Sequence, residues 1–193
     1  MRYCTGIALV AMLTGCQSFT GSFVKLRPDY QTVPEQTLRE VAREIEKAVS
    51  EGNRAADIQN RGGVIVDTEE IRQAIRTRAA RREILSAFLD TGFAWERRNG
   101  MVYILANREY KKAGTSRDRD RNALMVASEC ADRWAIYEGI LDASHFSPRA
   151  LPAIQRIFFD ARLEFMRPGQ KYETESGDVG IIGGAQGGEG GVK

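Results

Sequence analysis

One histidine, three cysteines and five prolines are spread over 193 residues, and no apolar run reaches membrane-spanning length. A single imidazole, His145, excludes a multi-histidine metal centre and leaves few acid–base groups that titrate near neutral pH. Charge of one sign is lacking too: 28 Lys and Arg against 26 Asp and Glu leave a formal +2, without the basic excess of a nucleic-acid binder. Neither Gly-x-Ser-x-Gly nor His-Glu-x-x-His occurs, and the glycine-rich end carries no Gly-Lys-Ser/Thr that would cradle a phosphate. No catalytic constellation, metal site or cofactor is therefore expected. With 42% hydrophobic and 28% charged residues, the composition is that of a globular domain.

What is present first is an address. Met1-Arg2 is a short positive start, and Ile7 to Leu13 is an apolar run of signal-peptide length. It ends in Leu13-Thr14-Gly15-Cys16, which resembles a bacterial lipobox: a branched apolar residue, two small residues that fit a peptidase cleft, and a thiol able to carry diacylglycerol. The expectation is a lipoprotein signal peptide over 1–15, with Leu13, Thr14 and Gly15 recognised by the peptidase and Cys16 lipidated. Two or more acyl chains anchor stably, at about 0.8 kcal/mol per buried methylene. Gln17 stands where Asp typically marks retention at the inner membrane. The expected address is the periplasm-facing outer membrane, with the outer leaflet of the inner membrane as the alternative. With Cys4 lost and Cys16 acylated, Cys130 is the one free thiol, and packing, not a disulfide, must stabilise the domain. In its apolar helical setting Cys130 reads as a small hydrophobe.

Residues 16–33 form the lipidated cysteine and a tether whose Phe19, Phe23, Leu26 and Tyr30 suit docking on the domain or contact with lipid headgroups. Residues 34–173 read as the folded domain. A helix from Pro34 to Gly52 buries Leu38, Val41, Ala42, Ile45, Ala48 and Val49 and presents Arg39, Glu40, Arg43, Glu44, Glu46 and Lys47 to solvent. Val64-Ile65-Val66 is a short strand or a buried loop anchor. Asp67, with Glu70 three residues on, caps a second helix to about Leu89 that buries Ile71, Ala74, Ile75, Ile84, Leu85, Phe88 and Leu89. Its Arg76, Arg78, Arg81 and Arg82 form the densest basic cluster, ordinarily a solvated face and alternatively a contact for an anionic surface.

Asn99-Gly100 between strand-like segments predicts a hairpin over 94–105, with positive φ at both turn residues. Residues 106–118 read as an exposed loop. A long helix from about Asp118 to Ala143 buries Leu124, Ala127, Ala131, Trp134, Tyr137 and Leu141, with Asp132, Arg133 and Glu138 outside. A last helix starts near Pro152, is lined by Ile154, Ile157, Phe158, Ala161 and Phe165, and stops at Pro168-Gly169. Residues 174–193, rich in glycine, read as a disordered tail. The expected fold is mainly α: about four helices in a small bundle with one short β-hairpin.

From about residue 70 to 173 the chain resembles the YdbL-like family, a domain of unknown function in small exported bacterial proteins and lipoproteins. The resemblance rests on Phe88-Leu89-Asp90-Thr91-Gly92, Glu96 and Asn99-Gly100, then Glu129, Asp132-Arg133 and Tyr137, then Ile157 to Arg162 and Gly169. Where the family tends to read Glu-Asn, this chain has Glu129-Cys130. The resemblance implies an envelope location and, in some members, association with large AsmA-like lipid-transfer proteins; it carries over no catalytic residue. The functional expectation is a non-catalytic interaction or chaperone-like partner of another envelope protein. The alternatives are a peptidoglycan or lipid hydrolase working through Asp90 and Glu96, or Cys130 and His145, and an anionic-lipid-binding module using the arginine cluster.

Overall fold

The structure is a computed structural model that describes residues 33–184. The expected signal peptide, Leu13-Thr14-Gly15-Cys16, the tether up to residue 32 and the tail from 185 lie outside the described residues. Within them the chain runs α1 (Glu35–Glu51), α2 (Glu69–Asp90), β1 (Ala94–Glu96), β2 (Val102–Ile104), α3 (Arg108–Lys112), α4 (Ser116–Ala143), α5 (Leu151–Leu163), β3 (Lys171–Glu173) and β4 (Val179–Ile181). The mainly helical class stands. No described helix is long and apolar enough to cross a membrane.

The first helix follows its sequence signals. Pro34 precedes it, Gly52 ends it at φ 70°, and the stripe from Leu38 to Val49 is buried. Its stripe packs on α2 and α5, where Ile71, Ala74, Ile75, Ile154, Ile157 and Phe158 complete the main core with Ile136 and Ile140 of α4. Glu46, expected on the wet face, is 2% exposed. Val64 and Val66 are buried in the connection, so the apolar triplet is a loop anchor, closed by a single bridge between Arg61 and Val64.

The cap of α2 is Thr68, not Asp67: its Oγ1 accepts from the Ile71 amide at 3.2 Å, while the Asp67 carboxylate is taken by Arg72. Ile84, expected inside, is 63% exposed. The loop expected over 106–118 contains α3, whose Tyr110 is buried against Phe88 and Phe93 in a smaller second core. The long helix begins two residues earlier than expected, at a capping box in which Thr115 and Asp118 exchange hydrogen bonds.

The largest correction concerns which way α4 faces. Its buried side is Val126, Glu129, Arg133, Ile136, Tyr137, Ile140 and Leu141, whereas Leu124, Ala127, Ala131 and Trp134 are exposed. A reading that follows only apolar residues passes over Glu129 and Arg133 and selects the neighbouring stripe. Here two charged side chains are core residues, because partners on other elements satisfy them.

The hairpin is present, with Ala94 opposite Ile104 and Glu96 opposite Val102. Its turn differs: only Gly100 takes positive φ, at 80°, and the Gly100 amide donates to the Arg97 carbonyl while Arg97 and Met101 remain paired. That is a three-residue loop closed by a left-handed glycine, not a two-residue Asn-Gly turn.

The expected disordered tail is corrected over 174–184. β3 and β4 form a second hairpin, Lys171 opposite Ile181, and β3 lies parallel to β1, giving a four-stranded sheet in the order β2-β1-β3-β4. Gly180 is required there by close approach, since a Cβ would lie 2.8 Å from the Tyr172 ring.

Candidate functional site

Three arginines and three glutamates close a ring of alternating charge at the junction of the helices and the sheet. Glu46 of α1 accepts from both terminal nitrogens of Arg78 of α2, at 3.0 and 2.8 Å. Arg78 Nε donates to Glu129 of α4 at 2.9 Å, and the same Oε1 accepts from Arg133 Nε at 2.7 Å. Arg133 then makes a two-pronged pair with Glu96 of β1, at 2.6 and 2.8 Å. Arg162 of α5 donates to Glu96 at 3.1 Å and returns to Glu46 at 2.7 Å. All six residues are at most 6% exposed.

The hairpin turn enters the same network. The Gly100 carbonyl accepts from Arg133, Arg162 and the Tyr137 hydroxyl, at 3.1, 3.0 and 3.0 Å. Arg81 extends the ring outward, bonding Glu129 at 2.9 Å and Asp132 at 2.8 Å.

These contacts fix the protonation states. Burial opposes the charge on Glu129, but Arg78 and Arg133 outweigh it and hold the carboxyl well below the usual range. Glu46 and Glu96 are likewise lowered against their burial, the first by Arg162 and Arg78 and the second by Arg133 and Arg162. The three glutamates stay ionised at neutral pH, and the ring has no net charge. Each carboxylate already accepts from at least two guanidiniums, so none stands ready as a general base.

Above the ring lies a cleft of about 120 Å³. The ring forms its floor, Val49, Leu85, Leu89, Phe165 and Met166 supply apolar wall, and Arg82, Arg167 and Gln170 stand among its polar lining. Arg82 donates to the Ser50 carbonyl at 3.3 Å and Arg167 to Asp90 at 3.0 Å. Apolar walls with a few fixed polar groups have the make-up of a small-ligand site, although the volume is less than half of the roughly 300 Å³ at which such sites begin.

The residues singled out from sequence are dispersed. The four arginines of α2 do not share a surface: Arg78 is sealed in the ring, Arg81 is committed to Glu129 and Asp132, Arg76 pairs with Glu69 on the outside, and Arg82 lines the cleft. An anionic-surface role for Arg78 is thus overturned by its burial, and for Arg81 by its paired carboxylates. Asp90 accepts from Gln170 and Arg167 outside the ring, whereas Glu96 is locked inside it. Cys130 and His145 stand fifteen positions apart around the long α4, about 22 Å by helical rise, too far to act as a pair. The Cys130 thiol is pushed up by burial and leans on the Val102 carbonyl at 3.5 Å, as expected of an unreactive packing residue. His145, at φ 56°, ends α4 with its backbone amide on the Asp142 carbonyl.

Apart from Glu96 and Arg78, the ring was not among the candidate sites. A signal for it existed: Glu46 lies one turn from Ala42 and Val49 on a buried stripe, Arg162 one turn from Phe158, and Glu129 and Arg133 are spaced i,i+4. Five residues of the sequence motifs quoted above, Glu96, Glu129, Arg133, Tyr137 and Arg162, meet in this network. Comparison with protein-family models, curated proteins and solved structures finds no match to this chain.

Proposed function

We propose that this chain is a lipid-anchored bacterial envelope protein, held by acyl chains on Cys16 and facing the periplasm, whose domain works as a non-catalytic interaction module. The anchor rests on Leu13-Thr14-Gly15-Cys16, and the outer membrane is favoured by Gln17. The observation that carries the interaction reading is the closed ring: the buried acids and bases are consumed in joining α1, α2, β1, α4 and α5 into one rigid body. Such a body presents a preformed surface at little ordering cost. The partner class is another envelope protein; the YdbL-like resemblance points to the AsmA-like lipid-transfer proteins.

Photocrosslinking in cells from Arg167, with the full-length lipidated chain, tests this. A defined envelope protein crosslinked in wild-type cells and lost with Cys16→Ser is the expected result. Absence of any adduct from Arg167 and from other cleft-edge positions would overturn it.

A second reading, an anionic-lipid module, is favoured by the apolar cleft wall beside Arg82 and Arg167. It requires binding to anionic vesicles that weakens steeply with salt. Salt-insensitive or absent binding removes it.

A further inference from the structure

The outward face of α4 carries a second seam that the other described residues leave uncovered. Asp120, Leu124, Ala127, Ala131, Trp134 and Glu138 are all exposed, Leu124 at 70% and Trp134 at 39%, while the opposite side of the same helix is buried in the core. Their spacing is 4, 3, 4, 3, 4, that of the a and d positions of a heptad pattern. The seam is also symmetric about Glu129: Ala127 and Ala131 lie two positions to either side, Leu124 and Trp134 five, Asp120 and Glu138 nine.

A seam with a basic flank at one end and an acid at the other can be completed by a second copy of itself. We propose that α4 pairs with α4 of a second copy of this chain, antiparallel about a two-fold axis at Glu129. A two-fold interface must be self-complementary, each residue meeting the one it is met by. Here Leu124 packs on the partner's Trp134, and Ala127 on the partner's Ala131, whose small side chains let the two axes come close. Trp134 and Leu124, large and small, thus fill each other's space at both ends, and two exposed apolar groups per copy leave water.

Charge argues for the same orientation. Arg117 and Arg121 flank Asp120 on the seam's N-terminal end, with exposed Glu138 at the other. Antiparallel pairing sets the partner's Glu138 on Asp120 but between Arg117 and Arg121, so each end brings two bases to two acids. Parallel pairing would instead stack Glu138 on Glu138 with no basic residue of the seam beside them, and Trp134 on Trp134. The second copy therefore fits antiparallel and not parallel.

The register makes a sharp test. Ser128 is exposed and one position from the axis, so two copies lie about 3 Å apart along it, whereas the exposed Ala123 residues lie about 18 Å apart. In membranes from cells making the full chain, Ser128→Cys in a Cys130→Ser background is oxidised with a mild catalyst and run without reductant. The expected result is a covalent homodimer, absent with Cys130→Ser alone and with Ala123→Cys. Adding Ala127→Glu, exposed and compatible with the folded helix, reduces the Ser128→Cys dimer at least tenfold while the circular dichroism is unchanged. No dimer through Ser128→Cys, an equal one through Ala123→Cys, insensitivity to Ala127→Glu, or an adduct with a different protein would each overturn the proposal.

Discussion

Arg133 and Glu96 meet face to face inside the domain, Nη1 to Oε2 at 2.6 Å and Nη2 to Oε1 at 2.8 Å, and thereby tie the longest helix to the first strand. Both are 1% exposed. Planar two-pronged pairing of this kind uses the fixed fork of a guanidinium, which a lysine cannot reproduce. Arg133 also holds Glu129 and Gly100, so its loss strands two carboxylates and a carbonyl at once.

Arg133→Met should therefore cost about 3–5 kcal/mol, because it leaves two buried carboxylates short of a counterion. Thermal unfolding followed by circular dichroism should show a midpoint lowered by roughly 10 °C for a domain of this size. Adding Glu96→Gln should recover part of the loss, since a neutral amide no longer needs the guanidinium. A midpoint within a degree of wild type would mean that the ring does not hold the elements together.

Acid should act on the same network. The three ring glutamates have folded-state pKa values below their ordinary value of 4.5, so the unfolded chain binds protons first as the pH falls. Their contribution is fully present above the ordinary glutamate range, and is lost progressively below about pH 4.5 as the carboxyls approach their depressed folded values. Denaturant midpoints across the acid range should be flat near neutrality and fall below that point. Stability that rises on acidification would contradict the assignment of the carboxylates as ionised.

Gly100→Ala tests how the turn enters the ring. Gly100 has φ 80°, and an added Cβ would lie 2.7 Å from the Tyr137 hydroxyl that donates to the same residue's carbonyl. Left-handed strain alone costs on the order of 1 kcal/mol or more, and the displaced carbonyl would leave Arg133 and Arg162 each a bond short. The expected outcome is a loss of about 2–3 kcal/mol in a chemical melt. Asn99→Ala, whose side chain only caps the Met101 amide, should cost less than half of that.

How much of this was legible follows from what periodicity can see. α1 was readable to its last turn because Leu38 to Val49 form an unbroken apolar stripe and Gly52 stops it. The first hairpin was readable from Asn99-Gly100. Where a charged residue occupies a core position, the same rule fails: it put Glu46 and Arg133 in water and turned α4 toward Leu124 and Trp134. Their burial depends on partners 32 to 116 positions away, which no local window contains. The β3–β4 hairpin was missed for a related reason. Glycine composition argued for disorder, whereas parallel pairing with β1 and the Tyr172 ring over Gly180 supply order from a distance.

Lipid on Cys16, as proposed, would present this domain from a membrane, and intact mass of the membrane-extracted protein, wild type beside Cys16→Ser, decides the point. Loss of residues 1–15 with added diacylglycerol and acyl mass is expected in the wild type, and neither change in Cys16→Ser. An unacylated product of the same mass in both, apart from the substitution itself, would contradict it.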